Sequence, residues 1–299
     1  MRKEQFDILV ALEKDRAVLD AAALAQITGM DDAKTAQLVA ELTAGGLVEG
    51  NAITDAGVQA LDHYKTKRAI FVAAGFGSRL RPVTLETAKP LVKVNGKRLI
   101  DGLIDGVMEA GIEEIYVVCG YLGEQFRQLK EKYPNIHLVT NDMYTKANNI
   151  SSVLLVREHM QNCYVLEADL LVHNPKIFDK YLYHSSYLGI PTKETDDWYF
   201  KTDDEGIIYE VGINNTDCYR MLGISYWNAE DGAKLPAHVE ATFNMPGGKD
   251  EDWCFVPLNS FKHEYKVHVR PCADGDIEEI DTFEELCAID PSYNRYRKG

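Results

Sequence analysis

The residues best suited to chemistry stand at 73–84, where the chain reads Ala73-Ala74-Gly75-Phe76-Gly77-Ser78-Arg79-Leu80-Arg81-Pro82-Val83-Thr84, followed by Lys89-Pro90-Leu91. Glycines at 75 and 77 let backbone N–H groups close around an anion, because a side chain would block the approach and resist a positive φ. The surrounding charge points the same way. Residues 67–98 carry Lys67, Arg68, Arg79, Arg81, Lys89, Lys93, Lys97 and Arg98 against Glu86 alone, in a chain of formal net charge −15. A basic island in an acidic protein is where a polyphosphate would be drawn. Spacing excludes two familiar phosphate loops. The dinucleotide fingerprint G-x-G-x-x-G meets Leu80 at its third glycine, and G-x-x-x-x-G-K-[ST] is absent.

Such a loop needs a rigid frame. From Arg68 onward, short apolar and often β-branched runs predict strands over 69–73, 115–119, 137–140 and 164–166, alternating with helices near 98–110, 122–132 and 149–160. Alternation of this kind predicts an α/β domain with a mainly parallel sheet, and places its ligand site beyond the carboxyl ends of the strands. After about residue 180 the chain turns to strand-like segments rich in aromatic and acidic residues, among them Trp198-Tyr199-Phe200, Ile207-Ile208-Tyr209 and Gly223-Ile224-Ser225-Tyr226-Trp227.

The first 66 residues read differently. Apolar spacing predicts three short helices, then a small β-ribbon over 47–54 and a last helix near 55–65. This order resembles a winged-helix domain. Residues 1–68 hold eight Lys and Arg against eleven Asp and Glu, and the recognition-helix candidate at 31–44 has Lys34 as its one cation beside Asp31, Asp32 and Glu41. A helix meant for the major groove should carry several cations and amides, so the charge argues against DNA and for a protein partner or a regulatory contact.

With 299 residues and 45% hydrophobic content, the chain has room for two domains, placed at 1–66 and 67–299, without disulfides or structural metal. The excess of 47 acidic over 32 basic residues excludes a general nucleic-acid or anionic-membrane binder. Six cysteines, never closer than fifteen residues, form no zinc or redox pair and read as reduced, buried thiols. No signal-peptide h-region and no run of ~18 apolar residues occurs, so the expected location is the cytoplasm, with no membrane partner. The basic tail at 293–299 leaves open a natural terminus or a linker to a further domain, such as a fused kinase.

The pattern G-x-G-x-R-L-x-P-x-T with K-P-L downstream resembles the signature of the nucleotidyltransferases that make sugar nucleotides and related activated compounds. The resemblance spans roughly 68–290, with Ala88 and Arg98 standing where prolines are common. It implies a Rossmann-like nucleotidyltransferase sheet, preceded here by the small winged-helix domain. It also implies nucleotide binding by Ala74, Gly75, Gly77, Ser78, Arg79, Gly120 and Tyr121, with Arg79 and Lys89 as the catalytic cations. Mg²⁺ would be the cofactor, held by Asp169 and Asp281. Each aspartate also has a purely structural reading: Asp169 as a strand-end turn residue, and Asp281 as the N-cap of a helix over 282–288 with Glu284 at capping-box spacing.

Further segments narrow the resemblance to the bacterial CTP:phosphocholine cytidylyltransferases. They are Val117-Val118-Cys119-Gly120-Tyr121-Leu122, Asn148-Asn149 with Ser151-Ser152, Trp198, 223–227 and Glu279-Ile280-Asp281. This implies CTP and phosphocholine as substrates, giving CDP-choline and pyrophosphate. A quaternary ammonium is held best by aromatic faces and a carboxylate, and the resemblance assigns these to Trp198, Trp253 and Glu279. The other readings are a 2-aminoethylphosphonate cytidylyltransferase, a sugar-1-phosphate nucleotidyltransferase, and, from another class, a winged-helix regulator that uses a nucleotidyltransferase-like domain as a metabolite sensor.

Overall fold

The structure, a computed structural model, describes residues 1–16 and 18–298, so the last residue of the basic tail, Gly299, lies outside the described residues. The chain divides into two compact units. Met1–Lys65 and Tyr181–Tyr183 make the first, and Thr66–Lys180 with the described residues from His184 onward make the second.

In the first unit, α1 (Lys3–Glu13), α2 (Ala21–Thr28) and α3 (Asp32–Ala44) precede a ribbon of β1 (Val48–Glu49) and β2 (Ala52–Ile53), and α4 (Asp55–Leu61) follows. The helix starts are set by side chains that accept from backbone N–H groups: Asp20 for α2, Asp31 for α3 and Thr54 for α4. Apolar residues at helical spacing, including Ile8, Leu9, Leu12, Leu24, Leu38, Leu42 and Leu61, close one core.

The second unit is built on a seven-stranded sheet. Its elements run β3 (Arg68–Ala73), the ribbon β4 (Lys93–Val94) and β5 (Lys97–Arg98), α5 (Leu99–Glu109), β6 (Glu114–Cys119), α6 (Leu129–Lys132), β7 (His137–Thr140), α7 (Ile150–Val156) and β8 (Cys163–Glu167). Then follow β9 (Leu170–Val172), β10 (Ser186–Thr202), β11 (Ile208–Trp227), α8 (Ala229–Asn244), β12 (His268–Pro271), β13 (Ile277–Glu279) and α9 (Phe283–Ile289). The sheet order is β12-β10-β11-β8-β3-β6-β7. Pairs β8–β3, β3–β6, β6–β7 and β10–β12 are parallel, and only β11 pairs antiparallel on both sides.

The nearly uninterrupted apolar content of β3 and β8 follows from burial on both faces of a parallel sheet. β10 and β11, at 17 and 20 residues, are much longer than the short segments their sequence suggests. Exposed polar residues such as Lys193, Glu194, Asp196, Asn214 and Asp217 interrupt them, and they pair with each other across several register shifts, so no run of apolar residues marks their length. The expected helix over 122–132 is mostly 3₁₀ turns, Gly123–Gln128, with α6 as a single turn. All six cysteines are free and buried. Among the described residues, no helix is long and apolar enough to cross a membrane.

Candidate active site

The loop after β3 carries the glycines. Gly77 has φ +57°, and a Cβ there would lie 2.8 Å from Cβ of Lys89, so glycine is required both by conformation and by the approach of that lysine. The Thr84 hydroxyl donates to the Gly77 carbonyl at 2.8 Å, and the Tyr121 hydroxyl donates to the Thr84 carbonyl at 3.0 Å. Leu80 is buried in a cluster with Val83, Ile280 and Phe283, so one patch of core anchors both the glycine loop and the segment that carries Asp281.

A second device brings Asp169 and Asp281 together across the sequence. β9 and β13 form an antiparallel ribbon that sets Leu170 opposite Glu279. Lys89 then sits between the two carboxylates, its Nζ 2.7 Å from Oδ2 of Asp169 and 2.9 Å from Oδ1 of Asp281. Burial works to lower the Lys89 pKa, but the two carboxylates outweigh it and hold the ammonium above its ordinary value. The exposed Arg79 guanidinium is 2.8 Å from the same oxygen of Asp281.

Two cavities meet at these side chains. The first, about 320 Å³, is lined by Gly75, Gly77, Ser78, Arg79 and Lys89 together with Asn149 and the carboxylates. The second, about 300 Å³, shares Arg79, Glu167, Asp169 and Asp281 with the first and adds Asp197, Trp198, Asp252, Phe255 and Glu279. Six carboxylates and one cation therefore face the second cavity, a balance that calls for a positively charged occupant. Trp198 and Phe255 form its aromatic wall, their rings edge to face at 5.2 Å.

Of the expected nucleotide-binding residues, Gly75, Gly77, Ser78 and Arg79 line the first cavity. Ala74, Gly120 and Tyr121 stand behind the loop: Tyr121 N–H donates to the Ala74 carbonyl at 3.2 Å, and Gly120 packs against Ala74 and Tyr144. Trp198 and Glu279 line the second cavity. Trp253 does not. It is 4% exposed, and its ring packs against Tyr187 and Trp227 in the core. The cap of α9 is Thr282, whose hydroxyl accepts from Glu285 N–H while Glu285 accepts from Thr282 N–H, so neither Asp281 nor Glu284 makes the capping box expected of them.

The sequence reading missed Glu167, which with Asp169 and Glu279 presents carboxylate oxygens within 4.8 Å of one another. Its signal was present: residues two apart at a strand end share a face. A Cβ on Gly223 would fall 2.2 Å from Oε2 of Glu167, so the bare glycine makes the room that this carboxylate fills. Burial and then the Asp169 charge push Glu167 well above the usual carboxylate range. Glu279 is pushed up to about 8 by burial and then by Asp169 and Asp281. Oδ1 of Asp169 is buried without a hydrogen-bond partner among the described residues. An orphaned oxygen beside crowded, half-buried carboxylates is a donor set that fits a hard divalent cation.

A family model for nucleotidyl transferases matches residues 68–184. Over 228 residues the chain is 37% identical to the 2-aminoethylphosphonate cytidylyltransferase of Lancefieldella rimae, an alignment that covers 75% of this chain and 92% of that protein. The chain belongs to the nucleotidyl transferase family. It is 34% identical to the choline-phosphate cytidylyltransferase of Streptococcus pneumoniae over 73% of this chain and 94% of that one. The solved structure of the CTP:phosphocholine cytidylyltransferase from Streptococcus pneumoniae superposes with a TM-score of 0.69 at 33% identity, over 76% of this chain and 99% of the other. This nucleotidyltransferase therefore has cytidylyltransferases among its homologues, and nucleotide and phosphate-compound substrates are consistent with them.

Proposed function

We propose that this protein transfers CMP from CTP to a small acceptor that carries a phosphate or phosphonate at one end and a cationic amine at the other, releasing pyrophosphate. The observation that carries the reading is the pair of cavities meeting at Arg79, Asp169 and Asp281: a glycine- and cation-lined side for a triphosphate, and an acidic, part-aromatic side for an ammonium.

An oxygen of the acceptor's phosphate or phosphonate attacks the α-phosphorus in line. The new O–P bond forms as the bond to the departing pyrophosphate breaks. A phosphate monoester, with a second pKa of ~6, is already largely dianionic near neutrality, so no general base is needed. Positioning and charge neutralisation are the remaining tasks. Arg79 and Lys89 supply positive charge to the triphosphate and to the charge that builds up on the leaving group. Asp169 with Glu167 and Glu279, and Asp281 from the other side of Lys89, are the residues that would hold Mg²⁺. When bound, the ion neutralises phosphate oxygens as a Lewis acid.

For the acceptor's head group the surroundings favour a primary ammonium, as in 2-aminoethylphosphonate. Asp197 and Asp252 present carboxylate oxygens to which an N–H donor can add a hydrogen bond, whereas a trimethylammonium, which has no N–H to donate, can offer them only its charge. Phosphocholine is the second reading. The Trp198–Phe255 wall favours it, since a methylated ammonium gains ~0.5–2 kcal/mol from each close aromatic face. Pyrophosphate release with CTP and each acceptor in turn separates the two.

For the first unit we propose a winged-helix fold, a reading supported by its order of helices and ribbon. Its α3 has Lys34 held 2.9 Å from Glu4, which suits contact with a protein better than contact with DNA.

A further inference from the structure

Asn149 and Asp252 lie 103 residues apart, each on the border of a different cavity. Asn149 Nδ2 donates to Oδ2 of Asp252 at 2.6 Å. Its Oδ1 accepts from the backbone N–H of Trp253 at 2.8 Å, and that bond fixes which way round the amide sits. The second oxygen of Asp252 accepts from Cys254 N–H at 3.0 Å. Asn148 adds two further ties to the same strip: its N–H donates to the Lys249 carbonyl at 2.7 Å and its Nδ2 to the Asp250 carbonyl at 3.2 Å. The strip that forms one wall of the second cavity is thus fastened to the start of α7, which borders the first.

We infer that Asn149 is a positioning residue that fixes the Asp252 carboxylate against the acceptor's ammonium and so ties acceptor recognition to the wall of the nucleotide cavity. This inference rests on the function proposed above. A carboxamide both accepts from Trp253 N–H and donates to Asp252 in this geometry, whereas an ionised carboxylate can only accept. Asp252 held by two donors keeps one orientation, whereas without Asn149 it retains only the Cys254 N–H and can swing toward solvent, away from the other carboxylates that repel its charge.

Asn149→Asp is the sharpest test, since the variant is isosteric, keeps the acceptor for Trp253 N–H and sets an anion against Asp252. Asn149→Ala removes both bonds. Steady-state pyrophosphate release should show the acceptor KM raised about tenfold or more in both variants, the size expected for a lost hydrogen bond to a charged group, and in Asn149→Ala, which adds no charge to the nucleotide cavity, the acceptor KM should rise several-fold more than the CTP KM. A crystal structure of Asn149→Asp should show the Asp252 carboxylate turned away while the Trp253 backbone stays in place. The inference is overturned by an unmoved Asp252, by an acceptor KM unchanged in both variants, or by a CTP KM that in Asn149→Ala rises as much as the acceptor KM. Wild-type protein that releases no pyrophosphate with any amine-bearing acceptor would instead sink the proposed function, and the crystal structure would still decide whether Asn149 holds Asp252.

Discussion

Lys89 Nζ lies 2.7 Å from one oxygen of the Asp169 carboxylate, and the other oxygen of that carboxylate is buried with no partner among the described residues. The ammonium occupies half of a site whose other half leaves an oxygen open to the Mg²⁺ proposed above. Neutralising two polyanions demands both.

Removing the ammonium should have opposite effects on metal binding and on turnover. Lys89→Met is expected to lower kcat/KM by about 10²–10³, the usual loss for one charge-stabilising donor. The same variant frees Asp169 and leaves Asp281 with Arg79 alone, so Mn²⁺ should bind the nucleotide-free protein more tightly than it binds wild type. Electron paramagnetic resonance of free Mn²⁺ reads this directly, and weaker binding would contradict the pairing described here.

Asp169→Asn keeps the shape and deletes the charge. Turnover should fall by at least about 10², while the far-ultraviolet circular dichroism stays that of wild type. Lys89 retains Asp281 at 2.9 Å, so the loop keeps its anchor. Near-normal activity in this variant would remove Asp169 from the metal site.

Gly77→Ala places a methyl group 2.8 Å from Cβ of Lys89 at a φ of +57°. The strain should cost about 1–3 kcal/mol and lower the melting temperature by several degrees. Displacing Lys89 should also raise the CTP KM. A stable variant with unchanged CTP KM would show that the loop adapts.

The two tryptophans expected to form one pocket should behave differently. Trp253→Ala opens the core beside Tyr187 and Trp227 and should destabilise the fold by about 3–5 kcal/mol. Trp198→Ala trims only the cavity wall, so it should raise the acceptor KM and leave the melting temperature nearly unchanged. Thermal unfolding run beside acceptor kinetics checks both.

The glycine loop was legible because its backbone freedom and charge are written in residue types: Gly75 and Gly77 for close approach and a positive φ, Arg79 and Lys89 for charge. The parallel sheet was legible because strands buried on both faces read as apolar runs. What stayed hidden depends on contacts between distant residues. Nothing local to Gly223 announces that Glu167 fills its missing side chain. Nothing near Asn149 points to Asp252. Trp253 and Trp198 look alike in sequence, and only the packing of the strip after α8 sends one into the core and leaves the other on the wall. The cap of α9 fell one residue beyond its expected place because Thr282 and Asp281 are both good caps, and the ion pairs with Lys89 and Arg79 engage Asp281 elsewhere.

The central claim is that one cavity takes a cytidine triphosphate and its neighbour an amine-bearing phosphate or phosphonate. The most direct measurement is pyrophosphate release by the purified protein with Mg²⁺ and CTP, acceptor by acceptor: 2-aminoethylphosphonate, phosphocholine and glucose 1-phosphate. The account expects release with an amine-bearing acceptor, lost when CTP is omitted, and little with the sugar phosphate. Release with the sugar phosphate alone, or with none of the three, would contradict it.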